Sequence, residues 1–78
     1  MNIKDLLDYI VKAMVDNPEQ VEISEVESQH STVLELKVAK SDMGKVIGKK
    51  GYNADAIRTI LNAAAHRKRV MLEILDEN

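Results

Sequence analysis

The sequence of 78 residues has no cysteine, one proline, three glycines and only two aromatic residues, Tyr9 and Tyr52. Without cysteine there are no disulfides, thiolate nucleophiles or cysteine-based metal sites, and a cytoplasmic location is expected. With so few breakers and 45% hydrophobic residues, the chain is too apolar to be disordered. The scarcity of aromatic residues excludes an extended platform on which nucleic-acid bases could stack.

Long hydrophobic runs are also missing. No stretch approaches the roughly 18 apolar residues of a membrane span, and the N-terminus lacks a basic start followed by an apolar run. We therefore expect a soluble protein with no membrane span. The length allows one domain, residues 1–78, and a domain this small without disulfides is expected to gain stability from a partner subunit.

The net charge of −2 is unevenly distributed along the chain. Residues 1–39 carry three lysines against eight acidic residues, whereas residues 40–69 carry eight lysines and arginines against two aspartates. A basic run is often only a solvated face, so charge alone does not separate that interpretation from a nucleic-acid surface. A motif within the basic segment has to decide between them.

The spacing of apolar residues predicts the element order α-β-β-α-α-β. The predicted elements are a helix from Ile3 to Met14 capped by Asn2, a strand from Val21 to Glu27, a strand from Val33 to Val38, a short helix capped by Ser41-Asp42 and running to Ile47, a helix from Tyr52 to about Arg67, and a strand from Val70 to Ile74. Val26 breaks the alternation of the first strand, which would fit a bulge.

The connections between these elements predict how the strands pair. A short polar turn over residues 28–31 makes the first two strands an antiparallel hairpin, and the long crossover allows the third to lie parallel to the second. We therefore expect an α+β fold, with a three-stranded mixed sheet and its helices packed on one face.

The turn Gly48-Lys49-Lys50-Gly51 lies between the short helix and the long one, inside the basic segment. Glycine at both ends lets the backbone turn sharply and lets a sugar-phosphate chain approach closely. The two lysines and the free N–H groups of the following helix supply positive potential. A Gly-x-x-Gly alone is weak evidence, because a helix-helix turn that needs glycine has the same pattern. Its position favours a clamp for a phosphate backbone.

Side chains near this turn are candidates for further contacts. Val46, Ile47 and Ile57, with the strand Leu34 to Val38, are predicted to form an apolar groove for bases. Lys45 and Arg58 are the flanking cations expected to reach phosphate. The predicted RNA-binding residues are Gly48, Lys49, Lys50, Gly51, Lys45, Val46, Ile47, Ile57 and Arg58.

No catalytic constellation is recognisable, and we expect a protein that is not an enzyme and holds no metal or cofactor. His30 and His66 have no partners at metal-ligand spacing. Residues 44–50 have three residues between the glycines and no hydroxyl after the lysine, which excludes a P-loop. The acidic residues of the first strand are accompanied by no base or nucleophile.

The Gly48–Gly51 turn within this element order resembles the KH family, whose GXXG loop clamps about four nucleotides, and specifically its type II branch. The resemblance covers the whole chain. More narrowly, the length and the segments Gly44–Gly51 and Ala56–Leu61 resemble the small bacterial KH proteins of the KhpA (YlqC) family. That resemblance implies a protein that binds single-stranded RNA, sometimes described as an RNA chaperone. It also implies a homodimer, pairing with the larger KH protein KhpB, and links to cell elongation and division.

Two other functions remain open at this point. The protein could be a KH-shaped protein-interaction or dimerisation module that uses its acidic first half and its long apolar helix. It could also bind single-stranded DNA, because a backbone clamp need not sense the 2′-hydroxyl. The long helix is apolar over more than one face, which a dimer interface and a deeply buried core helix explain about equally well.

Overall fold

The computed structural model describes residues 1–76. Its α-helices and strands are α1 (Ile3–Met14), β1 (Glu22–Glu27), β2 (Ser31–Lys37), α2 (Met43–Ile47), α3 (Tyr52–Ala64) and β3 (Arg69–Ile74), and single 3-10 turns lie at Pro18–Gln20, Lys40–Asp42 and Lys49–Gly51. The predicted α-β-β-α-α-β order and the α+β class are confirmed. Within residues 1–76, no helix has the length and apolar character that a bilayer crossing would need.

Helix α1 forms because its apolar residues recur on one side and its first turn is capped. The Asn2 side-chain oxygen accepts a hydrogen bond from the Asp5 N–H at 2.8 Å, as predicted for an N-cap. The helix buries Leu7 and Val11 and ends where Val15 adopts an extended conformation, shortly before Pro18.

The three strands lie in the order β1-β2-β3, with β1 antiparallel and β3 parallel to β2. The pairs of β1 with β2 run without interruption from Glu22↔Lys37 to Glu27↔Thr32. The predicted bulge is therefore wrong. Val26 breaks the alternation because it lies on the sheet face away from the helices, where it is 60% exposed.

The core lies between the other face of the sheet and the three helices. Leu34 and Leu36 of β2 and Val70 and Leu72 of β3 pack there against buried residues of the helices, namely Leu7, Val11, Val46, Ile57 and Leu61. Each fully buried aliphatic side chain of this size stabilises the fold by about 1.5–3 kcal/mol. The helices therefore cover one face of the sheet and leave the other uncovered.

Helix α3 ends at Ala64, three residues before the predicted end at Arg67. Ala65 is extended and Arg67 has a positive φ of 70°, so the chain turns back at once towards the sheet. There the Arg69 N–H donates to the His30 carbonyl at 3.1 Å, and Lys68 pairs with Glu27 at 2.7 Å. Pairing with β2 overrides the helical pattern at this point.

Candidate nucleic-acid interface

The loop Gly48–Gly51 joins α2 to α3 through three residues with positive φ. Gly48 has φ 76° and ψ 173°, a region that is essentially restricted to glycine. Lys50 (φ 57°) and Gly51 (φ 77°) are left-handed. The Gly51 N–H donates to the Gly48 carbonyl at 3.1 Å, which closes the turn.

Gly48 is also required because Asn53 lies against it. A Cβ at position 48 would lie 2.6 Å from the Asn53 Cγ, far inside van der Waals contact. The Asn53 side-chain N–H donates to the Lys45 carbonyl at 2.8 Å, which joins the first turn of α3 to the last turn of α2. Sequence reasoning missed Asn53. The available signal was a poor helix former inside the first turn after the glycine loop.

The second glycine of the loop is under weaker constraint. Gly51 has a left-handed backbone, but no atom beyond its two chain neighbours lies within 4 Å of a Cβ built on it. Only its φ therefore favours glycine, whereas at Gly48 both the φ and the space do.

The loop places Lys49 and Lys50 immediately before the N-terminus of α3, and both are exposed. No carboxylate of residues 1–76 forms an ion pair with either of them. The Tyr52 N–H is bonded to the Lys49 carbonyl, and the N-terminus of α3 adds the positive end of its helix dipole at the loop. This corner of the molecule therefore presents positive charge that the fold does not neutralise.

Lys45 and Arg58, the other two predicted cations, form ion pairs with aspartates of the same chain. Lys45 lies 2.9 Å from the Asp16 carboxylate and 3.9 Å from that of Asp42. Its hydrogen bond and charge interaction with Asp16 raise the pKa of Lys45 above the ordinary lysine value, against the opposing effect of desolvation. Arg58 pairs with Asp55 at 3.1 Å and donates to the Leu72 carbonyl, also at 3.1 Å. Phosphate would therefore compete with these aspartate partners at both side chains.

The apolar groove candidates do not lie together at the surface. Val46 is 0% and Ile57 is 3% exposed, so both belong to the core. Leu34 and Leu36 of β2 are buried as well. Ile47 alone among the three helical candidates is half-buried. An apolar residue on a short helix has the same pattern whether it faces a core or a groove, so the sequence did not separate them.

A buried carboxylate holds α2 in place. Asp42 is 0% exposed, and it accepts hydrogen bonds from the Asp16 N–H at 3.1 Å, the Asn17 N–H at 3.0 Å and the Asn17 side chain at 3.1 Å. Asp42 occupies the N-cap position of α2, as predicted, but its side chain makes no capping hydrogen bond to that helix. It joins the end of α1 to the start of α2 instead.

The hydrogen bonds also determine the charge state of Asp42. Burial by itself raises the pKa of this carboxyl group. The bonds from Asp16 and Asn17, with the charge of Lys45, outweigh burial and hold the pKa below the ordinary aspartate value of 3.8. Asp42 is therefore ionised and fully bonded at neutral pH.

Asn62 forms a second link that the sequence did not reveal. Its side chain donates to the Val70 carbonyl and accepts from the Val70 N–H, both at 2.9 Å. With Arg58, it satisfies outward-facing backbone groups of the edge strand β3. No group of three or more His, Asp or Glu residues within residues 1–76 is placed to hold a metal ion.

A three-stranded mixed sheet, helices on one face and a glycine-bounded turn between two of those helices together define a KH domain. The family model for the KhpA/KhpB KH domain matches residues 4–74, and the chain belongs to that family. The predicted resemblance is confirmed.

Several relatives are similar over nearly their whole length. The chain is 55% identical over 75 residues to RNA-binding protein KhpA of Clostridium acetobutylicum, covering 94% of this chain and 100% of the relative. It is 53% identical to RNA-binding protein KhpA of Caldanaerobacter subterraneus (91% and 97% covered). It is 51% identical to that of Chlamydia pneumoniae (96% and 99% covered). No solved structure matches the chain.

Proposed function

We propose that this protein is a non-catalytic binder of single-stranded RNA, and that the loop Gly48–Gly51 holds the RNA backbone. The observation that carries the proposal is the pair of exposed lysines, Lys49 and Lys50, which have no carboxylate partner within residues 1–76. The relatives described above are named RNA-binding proteins, which supports the same function.

In this proposal the loop binds phosphate and leaves the choice of bases to its surroundings. The missing Cβ of Gly51 leaves open space in which the strand can approach the backbone, while the lysines and the start of α3 attract the phosphates. Such contacts position the strand but carry no sequence information. Ile47 is half-buried and offers an apolar surface for a base, whereas Val46 and Ile57 lie in the core. Lys45 and Arg58 add less charge, because their aspartate partners already neutralise part of it.

The double variant Lys49→Asp/Lys50→Asp tests the clamp. We expect its affinity for a fluorescent single-stranded RNA, measured by anisotropy, to fall by more than about tenfold. For the parent, about four neutralised phosphates would give a slope of log K against log salt of roughly −3, and the double variant should lose about 1.4 of that slope. Circular dichroism should show an unchanged fold, because both side chains are exposed.

The matched control is Lys4→Asp/Lys12→Asp on α1, which changes the net charge by the same amount away from the loop. Its RNA affinity should stay within about threefold of the parent at moderate salt, since distant exposed charges are screened. RNA binding by the loop variant as tight as that of the parent, or an equal loss in both variants, would show that the loop is not the clamp. Competition between RNA and DNA oligomers of one sequence tests the single-stranded DNA alternative.

Membership of the KhpA/KhpB family extends the proposal to the protein's partners. We infer that it acts in the cytoplasm as an RNA chaperone, self-associates, pairs with a KhpB-like protein and affects cell elongation and division. Two surfaces are available for self-association. One is the outer side of α3, where Ile60 is 46% exposed beside alanines, and the other is the uncovered face of the sheet. A protein-interaction module without RNA binding would keep partner binding in the Lys49→Asp/Lys50→Asp variant and show no RNA binding in the parent.

A further inference from the structure

A pocket lies at the end of α3 that is remote from the loop Gly48–Gly51. It has a volume of about 260 Å³ and is lined by residues from the start of α1, from the hairpin of β1 and β2, and from the turn that follows α3. Helix α3 spans 13 residues, so its two ends lie about 20 Å apart. The pocket is therefore separate from the proposed RNA clamp.

A buried threonine lines this pocket without a hydrogen-bond partner. Thr32 alternates with Val33, so it lies on the sheet face that the helices cover, and it is 4% exposed. Its hydroxyl forms no hydrogen bond within residues 1–76. Every fully buried side-chain oxygen in that range has a partner, so the Thr32 hydroxyl opens into the pocket. Buried polar side chains are nearly always bonded, and a free hydroxyl here indicates a place for a bound group.

The carboxylates that line the pocket differ in their partners. Glu25 and Glu27 lie two positions apart on β1 and on the same side of the sheet as Thr32, because Glu27 is paired with Thr32 across the strands. Lys68 neutralises Glu27, with its ammonium group 2.7 Å from that carboxylate. Glu25 forms no ion pair within residues 1–76. One of the two negative charges is therefore left without a partner.

The end of α3 adds to the negative character of the pocket. Ala65 lines the pocket where the helix ends, and the last carbonyl groups of a helix have no partner within it. These carbonyls carry the negative end of the helix dipole, which favours a cation. Arg67 and Arg69, on either side of Lys68 in the chain, do not line the pocket. A cation is therefore the charge that this pocket lacks.

Apolar side chains complete the lining. Ile3 and Ala65 line the pocket and pack against the hydrophobic core. A carboxylate and a hydroxyl beside apolar side chains suit an ammonium group, which donates up to three hydrogen bonds, on a chain that gains from leaving water. We propose that this pocket binds a primary ammonium group carried on a short aliphatic chain. Glu25 and Thr32 accept hydrogen bonds from the ammonium, and Ile3 and Ala65 contact the chain.

The size of the pocket limits the ligand. Its volume of about 260 Å³ is below the range of about 300–1,000 Å³ that is common for drug-sized ligands, so it suits a chain of about four or five carbons. Two sources carry this chemistry, namely a free aliphatic diamine and the side chain of a lysine on another protein. Both present the same ammonium group to Glu25.

NMR titration of the whole isotope-labelled chain tests the site. Putrescine and N-acetyl-lysine methylamide are added separately, and the amide shifts of Thr32, Ala65 and His66 are followed. At least one probe should give saturable shifts with a Kd of the order of 1 mM, as expected for so small a ligand. Tighter binding of putrescine would identify a free amine as the source, and tighter binding of the lysine derivative a lysine side chain. Butanediol, which has the carbon chain of putrescine without its charge, should bind at least about tenfold more weakly.

Two variants in the pocket and one matched control locate the binding. Glu25→Gln removes the charge and should weaken binding of the tighter probe by about fivefold or more, and Thr32→Val removes only the hydroxyl and should weaken it by about threefold. Glu22→Gln makes the same charge change on the other face of β1, and should leave the Kd within about twofold of the parent. Thr32→Val should not lower the midpoint of thermal unfolding, because its hydroxyl has no partner to lose.

Several results would overturn the proposal. The absence of saturable shifts with both probes would do so, and so would butanediol binding as tightly as putrescine. Equal weakening by Glu22→Gln and Glu25→Gln would show a general attraction of cations to an acidic strand and no site. A Thr32→Val variant that loses thermal stability would show that the hydroxyl serves the fold and not a ligand.

Discussion

The two ends of α2 use polar residues in opposite ways. At its start, Asp42 is fully buried, and its carboxylate is bonded to Asp16 and Asn17 and lies near Lys45. At its end, Lys49 and Lys50 are exposed without a carboxylate partner in residues 1–76. Polar groups satisfied inside the protein position the short helix, and those left unsatisfied are available to a ligand. Lys45 and Lys49 belong to one basic segment, yet only the structure separates their roles.

The largest effect is expected at the start of α2, from Asp42→Ala. The substitution leaves the N–H groups of Asp16 and Asn17 without their acceptor, and the loss should lower the midpoint of thermal unfolding by roughly 10 °C. RNA affinity measured well below that midpoint should change by less than about threefold, because the loop lysines remain. Thermal unfolding and anisotropy measure the two effects separately.

The exposed carboxylate of Asp55, which pairs with Arg58, provides the control. Asp55→Ala should shift the midpoint by no more than about 2 °C, and an equal loss in both variants would contradict the role of Asp42.

The pH dependence of stability gives a second check on Asp42. Because the folded pKa of Asp42 is below 3.8, its stabilisation is fully present well above that pH and disappears as the pH falls below it. The difference between the parent and Asp42→Ala should shrink over that range.

The glycines at the end of α2 are expected to differ in a graded way. Gly48→Ala combines an unfavourable backbone region with the contact to Asn53, and should cost about 2–3 kcal/mol of unfolding free energy together with most of the RNA affinity. Gly51→Ala has only the left-handed backbone to accommodate, and should cost about 1 kcal/mol. Urea denaturation with anisotropy measures both properties.

Removing the Asn53 side chain provides the control for the first glycine. In Gly48→Ala/Asn53→Ala the contacts to Cγ and Nδ2 disappear, so part of the lost stability should return relative to the sum of the single variants. Equal effects of the two glycine variants would show that the space around Gly48 does not matter.

The smallest effect is expected for Lys45→Ala, which lies between the two ends. Its ion pair with Asp16 joins side chains that are 47% and 74% exposed, and its contact with Asp42 is 3.9 Å long, so stability should fall only slightly. RNA affinity should fall by less than about threefold, and less than in Lys49→Ala or Lys50→Ala. A loss as large as that of either loop lysine would show that Lys45 leaves Asp16 to bind RNA.

Most of the fold could be predicted because its signals are local. The helical spacing from Ile3 to Met14 and the alternation in β2 and β3 depend on residues a few positions apart. The loop was visible for the same reason, since Gly48, Lys49, Lys50 and Gly51 are consecutive. The end of α3 was placed three residues too far, because pairing of Arg69 with β2 decides it, and that contact is not local.

The sequence by itself determined the order of the elements, the glycine turn and the basic segment that contains it. Only the tertiary structure decided which polar groups remain free. Lys45 meets Asp16 across 29 positions of the chain, and Asp42 meets Asn17 across 25. Val46 belongs to the core and not to a groove, because it packs with the buried residues of the sheet. Periodicity specifies which side of an element is apolar, whereas the partner that side meets depends on how the elements pack.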